Sequence, residues 1–188
     1  MKEGIVSRIR RFQVIFSVVI FIFVTIMCHL VTGFNISEIQ LSTWGEDNLV
    51  GGAWNSLIIF MSFTILSNVT IWIYQHPRLK YKPLFYGLFW FASINLFFVG
   101  FYPVQYGLLH IIPAIIYFFT YPLIIFLMVF MNRNNIIYRE WLKHTIISLL
   151  MITIPLLFIT FNGMGIYEIV HASMVGLWNL IILKKHKK

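Results

Sequence analysis

The chain has 188 residues, of which 60% are hydrophobic and only 11% charged, with a mean hydropathy of +0.85. A soluble domain carries about 25% charged residues, so there are too few polar groups here to cover a water-facing surface, and that class is excluded. The net charge of +8 would suit a nucleic-acid partner, but the placement of the basic residues gives it another meaning.

The N-terminus, MKEGIVSRIRR, is short and basic. The apolar run from Phe12 to Gly33 that follows would be about 33 Å long as a helix at 1.5 Å per residue, enough to cross a ~30 Å hydrocarbon core. It exceeds the roughly 7–15 residues of a signal-peptide core and has no small-x-small cleavage site after it, so it reads as a retained first span. Phe34 to Gly52 is the one long polar loop, with Glu38, Glu46 and Asp47 and no basic residue. Span two runs from Ala53 to Gln75, and the basic connection HPRLKYK leads to span three, Pro83 to Val104. Gln105-Tyr106-Gly107 turns the chain into span four, Leu108 to Met131. A second basic loop, NRNNIIYREWLKH, precedes span five, Thr145 to Asn162; Gly163-Met164-Gly165 then turns into span six, Ile166 to Leu183, and the tail KKHKK.

Basic residues number four in the N-terminus, three in each basic loop and four in the tail, which accounts for all 14 Lys and Arg. Under the positive-inside rule both termini and the two basic loops are cytoplasmic, and the acidic loop and the two short turns lie outside. Spans must be helices, because lipid leaves open backbone groups unsatisfied. The expected architecture is therefore all-α: one integral membrane domain over 1–188, a six-helix bundle with both termini inside, in a bacterial inner membrane. The basic charge is an orientation signal with some affinity for anionic headgroups, and membrane lipids, not nucleic acid, are the expected partners; a homo-oligomer or a membrane-protein partner stays open. The single cysteine, Cys28, allows no intrachain disulfide and no cysteine metal motif.

Ionisable groups inside spans are functional candidates by default, and here they fall in one layer. His29 lies near the outer end of span one, His110 is the third residue of span four, and Glu168 and His171 are the third and sixth residues of span six. At 1.5 Å per residue all four lie within roughly 8 Å of the outer boundary. Glu168 and His171, at i and i+3, share a helix face, and His110, Ala114, Tyr117 and Tyr121 mark one face of span four. Asn55, Asn162 and the Trp44-Gly45-Glu46-Asp47 segment could close over the same layer. Asn68 and Asn95 lie deeper and read as interhelical hydrogen bonds. His76, His144 and His186 fall in cytoplasmic segments. Pro113, Pro122 and Pro155 read as packing kinks, and Ala172-x-x-x-Gly176 as a point of close helix approach.

Three arrangements fit this layer. The first is a polar clasp in which His110 and His171 hydrogen-bond Glu168 and lock spans four and six. In the second, His29, His110, His171 and Glu168 ligate a metal, zinc by their chemistry. In the third, two of the histidines are axial haem ligands. No Lys lies inside a span, which excludes a retinal Schiff base, and no P-loop, dinucleotide fingerprint or nucleophile elbow is present.

The polar segment FNISEIQLSTWGEDN, the run Gly100-Phe101-Tyr102-Pro103 followed by His110 and Ala114, and Gly165-Ile166-Tyr167-Glu168 with Trp178 resemble bacterial six-span membrane proteins of unknown function related to the DRAM/Frag/Sfk superfamily. Ile39-Gln40 and Ile169 depart from that pattern. The resemblance implies a multi-pass protein associated with lipid organisation and brings no established reaction. The leading expectation is a lipid-associated or accessory protein whose outward-facing pocket takes a headgroup, small ligand or partner. A metal-dependent membrane hydrolase is the alternative, and a small transporter subunit the third reading.

Overall fold

A computed structural model describes residues 3–33, 41–158 and 164–183. All regular structure among them is helical: α1 (Glu3–Thr32), α2 (Gly51–Gln75), α3 (Lys82–Phe101), α4 (Leu108–Met131), α5 (Tyr138–Phe158) and α6 (Met164–Ile181), with short 3-10 turns at Leu41–Glu46 and Val104–Tyr106. Four helical stretches are long and apolar enough to cross a membrane: Ser7–Thr32, Gly51–Gln75, Lys82–Phe101 and Leu108–Met131. The apolar part of α6, Ile166–Ile181, would reach about 24 Å at 1.5 Å per residue.

The helices pack in chain order, α1 on α2 through to α5 on α6, and α6 returns to α1 and touches α2. The larger core is aromatic: Trp72 of α2, Phe89 of α3, Tyr121 of α4 and Trp178 of α6 are all buried and in ring contact, with Phe89 stacked on Trp178 at 5.7 Å. A second cluster joins α1, the Leu41 turn and α2 through Phe21, Cys28, Leu41, Trp44 and Trp54. The outside of the bundle is apolar, with Phe12, Phe23, Phe91, Ile112 and Ile115 all exposed. Such a continuous apolar surface is unusual on a water-soluble monomer and matches a lipid solvent.

Glycine permits one tight approach between α2 and α3. A Cβ on Gly100 would lie 2.9 Å from the carbonyl oxygen of Asn55 and 2.9 Å from Ile59 Cγ1. Gly107, at φ 57°, makes the turn that starts α4. On α6, a Cβ on Gly176 would meet only Val18 of α1, at 3.5 Å, so the small-residue pair does face a neighbouring helix.

Several sequence expectations need correction. Helix α1 starts well before Phe12 and takes the basic N-terminus into its first turns; α5 starts at Tyr138 and absorbs much of the second basic loop; α3 ends at Phe101, ahead of Val104. Arg10, counted as an orientation charge, is buried: its guanidinium donates to Asn68 Oδ1, to Gln75 Oε1 at 3.5 Å and to the Ile182 carbonyl at 2.5 Å. Asn68 in turn donates to Asn179 Oδ1 at 2.7 Å, and Asn179 to the Tyr121 hydroxyl at 3.3 Å. Asn68 is thus the interhelical bond expected of it, whereas Asn95 donates to Phe91 of its own helix at 2.8 Å. His76 and His144 are buried beside Trp72, and His144 Nδ1 accepts from the Trp178 indole at 3.1 Å. Asn132 is also buried and links the two basic connections by accepting from the Lys80 backbone at 2.7 Å. Glu38, Asn162 and His186 lie outside the described residues.

Candidate functional site

The site lies at the end of the bundle where α1 finishes and α4 and α6 begin. After Gly107 turns the chain, His110 enters the first turn of α4, 6% exposed, and its Nδ1 lies 2.6 Å from the Tyr102 carbonyl. That carbonyl immediately follows α3, so the α3–α4 turn itself fixes the imidazole.

On α6 the two candidate residues do different things. Glu168 accepts the backbone N–H of Leu41 at 2.5 Å, and the Ser42 backbone hydrogen-bonds the same carboxylate. The first N–H groups of a helical turn have no partner within it, and Glu168 supplies one from another helix. His171, one turn along, is 2% exposed, packed edge-on against Phe118 at 4.7 Å and Tyr117 at 5.8 Å, and tilted against Tyr167 at 6.0 Å. Neither of its ring nitrogens has a hydrogen-bond partner among the described residues. Leaving such a buried group unmatched costs about 1–3 kcal/mol.

A cavity of about 70 Å³ opens between these side chains, lined by Ser42, Asn55, His110, Glu168 and His171 together with Ala114, Tyr117 and apolar residues of α1, α2, α3 and α6. This has room for several water molecules or a small polar group. Three of the four residues on the expected α4 face, His110, Ala114 and Tyr117, line it; Tyr121 continues below, into the Asn179 network. Asn55 also holds the Leu41–Glu46 turn, donating to the Gly45 carbonyl at 3.0 Å.

The other expected members do not join. His29 is exposed in the last turn of α1 and is not among the lining residues. Trp44 is 1% exposed but packs at 5.1 Å on Trp54, below the turn. Glu46 is exposed, and Asp47 holds the turn that precedes α2, accepting from the backbone of Leu49 at 2.7 Å and Val50 at 3.1 Å. The clasp is not formed as expected, because the Glu168 carboxylate is held by the Leu41 turn and His171 is left unpaired. Nor does the zinc set assemble: His29 is exposed and off the cavity lining, and among the described residues no three His, Cys, Asp or Glu side chains are grouped to hold a metal ion.

Ser42 and the ring residues Phe118 and Tyr167 were missed by sequence reasoning. Phe118 and Tyr167 sit next to named candidates and could have been found by asking what packs beside His171; Ser42 carries no such signal. Compared with family models, curated proteins and solved structures, the chain matches none of them.

Proposed function

We propose that this chain is a six-span membrane protein, with both termini and the basic loops inside, whose outer end holds a pocket for the polar part of a small ligand or lipid headgroup. The single observation that carries the pocket is His171: a buried imidazole without a partner, on a cavity that also presents a carboxylate and a second imidazole. A residue whose role was only packing would be replaceable by an apolar ring at no loss, and burying it bare is unfavourable.

The topology is supported by the confinement of all Lys and Arg to the N-terminus, the two basic connections and the tail of the sequence, which the positive-inside rule puts on one side, and by the ring order, in which α5 and α6 fill the gap between α4 and α1. The role is accessory or lipid-associated, in keeping with the kinship to the DRAM/Frag/Sfk-related proteins proposed from the sequence. Native mass spectrometry of protein released from its own membrane tests the pocket. We expect one small-molecule adduct per chain on the wild type and none on Ala114→Phe, which fills the cavity from α4. A bare wild type, or an adduct unchanged by Ala114→Phe, would contradict the proposal.

A further inference from the structure

A second hollow, of about 260 Å³, runs between α1 and α6. Four residues line both it and the polar cavity: Phe21, Met61, Ala172 and Val175. The two are therefore adjacent, with these four side chains between them, His110, Glu168 and His171 on the first and mainly apolar residues on the second. Along α6 the groove extends from Ala172 to Leu180, about 12 Å at 1.5 Å per residue, close to the depth of one leaflet of a ~30 Å hydrocarbon core. It opens sideways to the bundle surface where Ile22 and Leu177 are 52% and 51% exposed. A molecule in the surrounding lipid could enter it without passing through water.

The chemistry of the polar end narrows what the head can be. The sequence holds no Lys or Arg between Gly33 and Val50, between Tyr102 and Leu109, or between Pro155 and His171, whereas Glu38, Glu46, Asp47 and Glu168 all fall there. A phosphate in the cavity would face the Glu168 carboxylate with no Lys or Arg among the lining residues to pair it, a desolvated arrangement that is strongly unfavourable. A neutral imidazole offers one donor and one acceptor, and a hydroxyl does the same. One hydroxyl can thus pair one ring nitrogen of His171, and a second can pair the other nitrogen or reach Glu168.

We propose that cavity and groove together bind one uncharged, single-chain amphiphile with a hydroxyl-bearing head, of the monoacylglycerol class, its head at His171 and its chain between α1 and α6. This rests on the pocket reading above and adds the identity of the head and the path of the chain.

The test uses the full chain in phosphatidylcholine vesicles containing a monoacylglycerol with a photoreactive diazirine in mid-chain. In parallel, a lysophosphatidate with the same chain is used, so that partition into the bilayer is matched. Cross-links mapped by mass spectrometry are expected on α1 between Val14 and Ile22 and on α6 between Ala172 and Leu180, competed by unlabelled monopalmitoylglycerol. Gly176→Leu and Ser173→Phe, which narrow the groove without altering a cavity residue, and His171→Phe, which removes the polar partner, should each reduce this labelling about tenfold. Ser173→Phe keeps the groove test valid if Gly176→Leu does not fold. Even labelling over every lipid-facing helix, equal groove labelling by the lysophosphatidate, or labelling that survives His171→Phe would overturn the proposal. If the native adduct is present but the groove is unlabelled, the pocket stands and the amphiphile falls; if both are absent, both readings fall.

Discussion

His171 and Glu168 share a helix face one turn apart, yet their surroundings give them opposite roles. Glu168 is spent on the backbone of the Leu41 turn, while His171 has ring faces around it and nothing for its nitrogens. Two predictions follow from this contrast. In ligand-free protein, His171→Phe should raise stability by about 1–3 kcal/mol, because it removes an unmatched buried group, while abolishing the native adduct. A lower melting temperature would mean that His171 already has a partner. Glu168→Gln keeps an acceptor for the Leu41 N–H and should cost less than Glu168→Leu, by about 1–2 kcal/mol, measured by thermal unfolding; equal losses would show that the bond does not hold the turn. Depth and face were legible from spacing alone, which is why His110, Ala114, Tyr117, Glu168 and His171 were brought to one place. Direction around α1 was not: the whole run Phe12–Gly33 is apolar, with no polar stripe to orient it, so His29 was assigned by depth and turns out to be exposed. Asp47 was likewise read by charge and position, when its two backbone bonds make it the brace of the turn before α2.

At the scale of elements, α1 is the helix whose attachment matters most to the site, because the groove is its seam with α6. Its lower end is fastened by Arg10, which reaches Asn68 on α2 and the carbonyl that follows α6. Arg10→Ala and Asn68→Ala should therefore be strongly non-additive in thermal unfolding, with a coupling of about 0.5–3 kcal/mol; full additivity would argue that the two side chains do not meet. On the α2–α3 seam, Gly100→Leu should destabilise by about 1–3 kcal/mol, since even its Cβ would press on the Asn55 carbonyl, and a neutral outcome would place these helices further apart. Neither seam could be read in advance. Arg10 looked like one charge among four in a basic N-terminus, and only the return of α6 beside α1 brings the Ile182 carbonyl within its reach. Helix ends were off for a related reason: apolar runs mark where a helix is hydrophobic, whereas α1 and α5 continue as helices through their charged turns.

For the whole molecule, composition carried the all-helical, apolar class, and the charge count is the basis of the proposed orientation. Among the described residues, one end gathers the basic connections over a buried amide and aromatic network, and the other has no Lys or Arg and holds the cavity. In a Cys28→Ala background, Asn48→Cys should react with an impermeant thiol reagent from outside intact cells and Asn134→Cys only after lysis; the reverse would invert the layout. The claim on which the rest depends is that the cavity at His171 exists to be filled. An experimental density map of the full chain, purified in mild detergent with its native lipids, tests it most directly. The account predicts non-protein density in the cavity about 2.7–3.2 Å from a ring nitrogen of His171. An empty cavity, with the His171 ring turned to bond the Glu168 carboxylate, would contradict it.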